Sequence, residues 1–295
     1  MMGSLKQIPA SSFTKLVNAC FHTQRYVATS FPELIEHIGV VAKHLEMMRR
    51  NHKNLPIEEK EDGSCVTVAD RYSSEEIMRF LSERYPHEGC ISEEDLSFLK
   101  RCKKFPSEPV WILDPLDHTR RFVEGDPYYL ISLTRLENFE ATHTILAQPA
   151  FEAIFTAIKG GGSFANNAKL KVSKISNIKK AEVATVFCEL PSSPFKSLEE
   201  DKVKELGLDE TPESLIAVAN GNIDGSIIKM CGHKVWDIAF ATLLVEEAGG
   251  KVTDERGRPI SYNNIEPRIG YIVASNGKGA LHKNLLNILN QQLCP

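Results

Sequence analysis

Trp111-Ile112-Leu113-Asp114-Pro115-Leu116-Asp117-His118-Thr119 is the stretch that decides the fold. Val110–Leu113 is a short apolar run and reads as a buried strand. It is expected to stop at Asp114–Pro115, because proline fixes φ and lacks a ladder donor. Two carboxylates and the Leu116 carbonyl can then face one point just past the strand. Such an all-oxygen set from side chains and backbone is what a hard divalent cation takes. Converging carboxylates repel one another unless a cation sits among them. Taken singly, each acid has a plainer reading: Asp114 as a turn residue, Asp117 as a helix N-cap.

Two further places put acids beside an apolar run. They are Ile91-Ser92-Glu93-Glu94-Asp95 and Val235-Trp236-Asp237-Ile238-Ala239. Around them the chain alternates helical and strand patterns. Leu34, Ile35, Ile38, Val41, Ala42, Leu45 and Met48 recur at helical spacing after Pro32. Asp70 to Tyr85 reads as a second amphipathic helix that ends before Pro86. Tyr128–Leu136, His143–Ala147 and Ala150–Ile158 read as successive strands, with a turn at Gly160–Gly162. Lys169–Pro212 is polar. Asp237–Ala248 reads as a helix capped by Asp237 and stopped by Gly249–Gly250. Gly270–Ala274 reads as a strand and Ala280–Leu289 as a last helix. Residues 1–30 form an N-terminal extension with a short helix near Phe13–Phe21. Strands clustered between helices predict layered α and β structure.

Composition excludes other classes. The 295 residues are 42% hydrophobic and 25% charged, which suits a packed core rather than a disordered chain. Lys+Arg 35 against Asp+Glu 39 gives −4 with no basic block, so no nucleic-acid partner is expected. Seven scattered cysteines form no CxxC pair. No leader and no membrane span is expected, so the chain is read as cytoplasmic.

Together, Asp62-Gly-Ser-Cys-Val-Thr-Val-Ala-Asp70, Glu93-Glu94, Asp114-Pro-Leu-Asp117-x-Thr119 and Trp236-Asp237 running into Leu243-Leu-Val-Glu-Glu-Ala-Gly-Gly250 resemble the magnesium-dependent, lithium-sensitive phosphatases of the inositol monophosphatase superfamily. The resemblance runs from about Pro32 to Leu289. It implies a layered αβαβα sandwich, an α+β half over 31–165 carrying most metal ligands and an α/β half over 166–295. It implies two magnesium ions, with a third, weaker one near Glu93. Glu93, Asp114 and the Leu116 carbonyl would hold the first, and Asp114, Asp117 and Asp237 the second. Thr119 paired with Asp70 would orient and deprotonate a metal-activated water. The backbone at His118–Thr119 would cradle the phosphate. The implied activity is hydrolysis of a small phosphate monoester, either an inositol phosphate or a 3′(2′),5′-bisphosphate nucleotide. The family habit is a homodimer.

The chain also departs from that pattern. His118 stands where the motif has glycine, and glycine lets the backbone approach a phosphate closely. The histidine would turn outward, impair hydrolysis, or alter substrate preference; an impaired, binding or regulatory chain is the alternative reading. Inositol monophosphatases carry an acid seven positions before the Trp-Asp aspartate, and here that position is Met230, which weakens the inositol assignment, while Ser92-Glu-Glu-Asp95, Asp117-x-Thr-Arg-Arg-Phe122 and His233-Lys-Val-Trp-Asp237 look more like the bisphosphate nucleotidase branch. Lys229, Met230 and Lys234 are candidate pocket residues, and Arg120, Arg121, Lys229 and Lys234 could meet a second phosphate. Ser214–Ala219 stands where the family has a Gly-Ser-Ala-Ala helix.

Overall fold

The computed structural model describes residues 31–51, 55–60, 63–102, 105–166, 168–188, 196–197 and 210–293. The expected extension over 1–30, Asp62 and much of the polar middle lie outside them.

In chain order the first half holds α1 (Phe31–Arg50), β1 (Ile57–Glu59), β2 (Cys65–Thr67), α2 (Val68–Arg84), β3 (Gly89–Ser92), α3 (Ser97–Arg101), β4 (Val110–Asp117) and α4 (Thr119–Glu124). Then come β5 (Leu130–Glu137), β6 (Glu140–Gln148), β7 (Ala153–Ile158), β8 (Gly162–Ala165) and β9 (Ala168–Lys169). The second half holds β10 (Glu182–Val186), β11 (Lys196–Ser197), α5 (Thr211–Ala219), β12 (Gly225–Lys229), α6 (Ala239–Glu247), β13 (Lys251–Asp254), β14 (Tyr271–Ser275) and α7 (Leu281–Leu293). Strands β3 to β9 lie side by side in sequence order in one sheet, and a second sheet runs β11-β10-β12-β14-β13.

Alternation along the strands builds the layers. Trp111, Leu113, Ile131, Leu133 and Ile145 face α1 and α2, where they meet Leu34, Ile38, Leu45 and Ile77. The neighbouring positions Ile112, Leu130 and Leu146 face the other way, onto α5 and α6. Those two helices are buried all round because a sheet covers each side: Thr211 through Ala219 and Ala239 through Val245 are all buried. Beyond them Ala184, Ile228 and Ile272 complete the same core. The far face of the second sheet, Val183, Ile227 and Val273, is covered by Leu281, Leu285 and Leu289 of α7. The result is the expected αβαβα sandwich. Each fully buried leucine or isoleucine in it contributes ~1.5–3 kcal/mol.

Several expected boundaries move, each for a physical reason. The strand after Val110 does not stop at Asp114 but continues to Asp117, with a register shift between Asp114 and Asp117 against β5. A bulge accommodates Pro115 without a missing ladder donor. Helix α6 begins at Ala239 rather than Asp237, because Val235–Asp237 forms a separate 3-10 turn and Ile238 is the cap residue. Strand β7 begins at Ala153, after a 3-10 turn over Pro149–Phe151. Strands β10 and β13 lie in stretches that periodicity left blank; each is short and buried in the second sheet. No helix among the described residues is long and apolar enough to cross a membrane.

Candidate active site

The acids converge because three chain segments end together. Strand β3 runs parallel to β4 with Ser92 opposite Leu113, so Glu93 follows beside Asp114. The Glu93 N–H donates to the Leu113 carbonyl at 3.0 Å and fixes that join. Asp237 arrives on its 3-10 turn, and the Ser132 hydroxyl of β5 donates to the Trp236 carbonyl at 3.3 Å. Ser132 is itself opposite Asp114 in the ladder.

Asp114 is 1% exposed. Burial, and then repulsion from Glu93, Asp117 and Asp237, holds its carboxyl well above the ordinary carboxylate range. Burial and Asp117 do the same to Asp237. Asp117 is pushed up to about 7 by burial and by the charges of Glu93 and Glu210. Asp114, Asp117 and Asp237 thus all have their ionised form disfavoured by burial and by neighbouring acids, which is the signature of a place completed by positive charge.

No group of three or more His, Cys, Asp or Glu side chains among the described residues is arranged to hold a metal as it stands. The donors are occupied by protein groups instead. The Lys60 ammonium donates to Glu93 Oε1 at 2.8 Å and Glu94 Oε1 at 2.6 Å. The Leu116 N–H donates to Asp114 Oδ1 at 3.1 Å, and the Lys234 N–H to Asp237 Oδ2 at 2.5 Å. The Leu116 carbonyl oxygen lies 3.0 Å from the Thr119 hydroxyl oxygen. Burial works against the Lys60 charge, yet Glu93 and Glu94 outweigh it and hold the ammonium above its ordinary range. A lysine stands where the sequence reading puts a cation. The donors are all oxygens and mutually repelling, so they fit a hard divalent ion once Lys60 gives way. Glu93, Asp114, Leu116, Asp117 and Asp237 would hold it.

Asp70 is the third residue of α2 and closes a capping box. Its Oδ2 accepts from the Thr67 N–H at 2.7 Å and the Thr67 hydroxyl at 2.6 Å. Its other oxygen accepts from the Thr119 hydroxyl at 2.8 Å. Residues 49 positions apart thus meet, and burial raises the Asp70 pKa.

Next to Asp117 and Asp237 lies a cavity of about 290 Å³. Its wall includes His118, Phe187, Glu210, Thr211, Cys231 and His233. His118 has φ 65, the left-handed region that a glycine adopts freely and that costs other residues ~1–2 kcal/mol. Its ring does not turn outward: it lines the cavity. Glu210 reaches His118 Nε2 at 3.8 Å and Arg121 at 3.4 Å. The Cys231 N–H donates to His233 Nδ1 at 3.1 Å, so Nε2 carries the proton and donates to the Thr211 hydroxyl at 2.9 Å.

The other candidates fall elsewhere. Lys229 is exposed at the end of β12, Met230 packs against the central core, and Lys234 pairs with Glu266 at 2.5 Å. Arg120 is exposed with its guanidinium 3.9 Å from the Cys65 sulfur. Cys231 and His233, just beyond Met230, line the cavity instead. Sequence reasoning missed Lys60, Glu210 and Glu213. Lys60 sits in the run Glu58-Glu-Lys-Glu-Asp62, which reads as a solvated turn. Glu213 follows Pro212 at a helix start, where an acid is ordinary. In the fold Glu213 is 5% exposed, neither carboxylate oxygen has a hydrogen-bond partner, and burial pushes it up to about 7.

Comparison with known proteins places the site in context. The inositol monophosphatase family description matches residues 32–293. Relatives include the inositol monophosphatase of Dictyostelium discoideum, 32% identical over 70% of this chain and 78% of that one. Another is the putative Nus factor SuhB of Neisseria meningitidis, 31% identical over 79% of this chain and 89% of that one. Among solved structures, the extragenic suppressor protein suhB of Bartonella henselae superposes with a TM-score of 0.70 at 23% identity, covering 89% of this chain and 99% of the other.

Proposed function

The chain belongs to the inositol monophosphatase family of metal-dependent phosphomonoesterases, and from that premise we propose that it hydrolyses a small monophosphate ester of the inositol- or sugar-phosphate type. The observation that carries the site assignment is the Thr119 hydroxyl on Asp70, 2.8 Å apart beside the acid cluster. Magnesium held there, as two ions or three, supplies charge stabilisation to the phosphoryl, attacking and leaving oxygens. The chain's own residues do the rest. Thr119 donates to Asp70, which leaves its lone pairs to accept a hydrogen bond from the attacking water. Asp70, held by two Thr67 donors and raised by burial, receives the proton through that hydroxyl. The N–H groups at His118 and Thr119 start α4 and hold the phosphate.

Lys229, Met230 and Lys234 do not line the cavity, so a second phosphate finds no cation from those positions; this favours a monophosphate over a bisphosphate nucleotide. Lithium inhibition, a homodimer and a cytoplasmic location belong to the same proposal. Phosphate release from a panel of monoesters, with and without magnesium, tests it. Magnesium-dependent release from inositol 1-phosphate above that from adenosine 3′,5′-bisphosphate is expected. The absence of turnover on every ester would leave the second reading, a phosphatase-like binding protein, which the intrusion of His118 into the cavity favours.

A further inference from the structure

The chain that joins the two sheets carries charge of one sign. No Asp or Glu stands between Glu152 and Glu182, whereas Lys159, Lys169, Lys171, Lys174, Lys179 and Lys180 do. Lys159 pairs with Glu140. The other five are exposed, and none forms an ion pair among the described residues. The fold straps this segment across the start of α7. The Val172 N–H donates to the Ala248 carbonyl at 3.2 Å. The Asn276 side-chain amide donates to Ser173 Oγ and to the Ile175 carbonyl, each at 2.7 Å. Ile178 packs on the cluster built by Leu281 and Leu285, so Lys179 and Lys180 lie beside the same helix. Three more lysines arrive there. Lys251 is opposite Ser275 in the ladder, and its charge, after burial, helps hold the α7 residue His282 down at about 4. Lys278 follows Asn276 and its N–H donates to Asn276 Oδ1 at 2.9 Å. Lys283 is exposed on the first turn of α7. The acid beneath the strap, Asp224, is buried and takes the Ser173 hydroxyl and the Glu182 N–H.

The composition of this face selects its partner. Residues 169–180 hold no arginine and no aromatic, and Ile175 is the large apolar side chain left exposed there. Protein interfaces are depleted in lysine and anchored by Tyr, Trp and Arg. A membrane surface asks for a continuous apolar face. Single strands are held by aromatic stacking on the bases. Lysines alone suit the closely spaced phosphates of a double helix. The net charge of −4 argues against such a partner only when averaged over the whole molecule. Charges act over ~10 Å at 0.1 M salt, so acids on other faces are screened from this one. We propose that the lysine face formed by residues 171–180 with Lys251, Lys278 and Lys283 binds the phosphate backbone of double-helical nucleic acid, without regard to sequence. None of these residues lines the cavity beside Asp117 and Asp237, so the inference does not depend on any ester being hydrolysed.

The test is fluorescence anisotropy of the untagged full-length protein with labelled RNA and DNA duplexes of about 20 base pairs, between about 50 and 200 mM potassium chloride. Metal-free buffer keeps the acid cluster from holding a phosphate through a cation. Saturable binding is expected, with log affinity falling against log salt at a slope of about −4 to −5 if about five lysines meet phosphates. Duplexes of unrelated sequence should bind within about threefold of one another, and the ratio of RNA to DNA affinity says which source the face prefers. Lys174→Glu with Lys283→Glu should weaken binding about tenfold or more and make the slope shallower by about 2. The same pair changed to Gln serves if the Glu pair does not fold. Reversal of the exposed Lys100 and Arg101 on α3 should leave affinity within about twofold of wild type. Absence of binding at the lowest salt, or equal losses in the two reversed pairs, overturns the proposal. So does tighter binding of polyglutamate, or of vesicles rich in phosphatidylserine, than of either duplex.

Discussion

Glu46 and Asp114 are both buried carboxylates, and their surroundings push them in opposite directions. Glu46, near the end of α1, accepts from Arg49 at 2.7 and 2.8 Å, Arg50 at 2.7 Å and the Tyr129 hydroxyl at 2.7 Å. Burial opposes its charge, yet these donors win and hold its pKa down to about 2. Asp114 accepts one backbone N–H and otherwise faces Glu93, Asp117 and Asp237, and its pKa rises. The first cluster is closed: its charges are answered within the chain, and Arg49 also donates to the Gly125 carbonyl that ends α4. The second is open, with more negative than positive charge and a cavity beside it. Closed networks hold structure, and open ones await a ligand. The two should therefore respond oppositely to loss of charge.

The largest effect belongs to the open cluster. Asp114→Asn should lower magnesium-dependent ester hydrolysis by about a thousandfold or more, since the rate rests on electrostatic stabilisation. In metal-free protein the same change should raise the melting temperature, because it removes a carboxylate that three others repel. A near-wild-type rate would remove Asp114 from the site. Thr119→Val comes next, with a loss of about a hundredfold in kcat and little change in magnesium affinity. Equal losses in both would make Thr119 a structural residue.

Glu46→Gln tests the closed cluster. It should leave KM and magnesium affinity alone and cost about 2–3 kcal/mol in urea unfolding at pH 7, discounted for partial solvent contact. Its pKa is lowered from ~4.3 in the unfolded chain, so its contribution is full above that value and is lost as pH falls toward about 2. The difference between wild type and variant should shrink at pH 3.

The same contrast explains what could be read from residue order. Asp70, Glu93, Asp114, Asp117, Thr119 and Asp237 were legible because a motif with fixed spacing brings each to a strand end or a helix start. The layers were legible because apolar period follows burial. Lys60, Glu210 and Glu213 were not, since a charged residue in a polar run looks solvated until the fold desolvates it. Helix α6 was placed two residues early because Asp237 resembles a cap, whereas its oxygen accepts from the Lys234 N–H in a separate turn. Lys229 and Lys234 are candidates for a second phosphate by the family resemblance around Met230; a strand end and an ion pair with Glu266 take them away.

The smallest expected effect joins the metal to proton binding. Asp117 lies at about 7, raised from ~3.9 in the unfolded chain. A raised carboxyl contributes stability below its unfolded value and loses it as pH rises through the folded one. Metal-free protein should therefore weaken from pH 5.5 to pH 8. Magnesium needs the ionised form and answers the repulsion that causes this weakening. At pH 5.5 it must displace a proton, at ~1.4 kcal/mol for each pH unit below the pKa. Saturating magnesium should raise the melting temperature by about 4–8 °C more at pH 8 than at pH 5.5, since ~1.5 pH units amount to ~2 kcal/mol and ~1 kcal/mol corresponds to about 2–4 °C in a chain of this class. Differential scanning fluorimetry at the two pH values reads it. Asp117→Asn should remove most of the pH dependence, whereas Glu46→Gln should leave it intact. An equal magnesium shift at both pH values would mean that the acids are not the groups the metal meets.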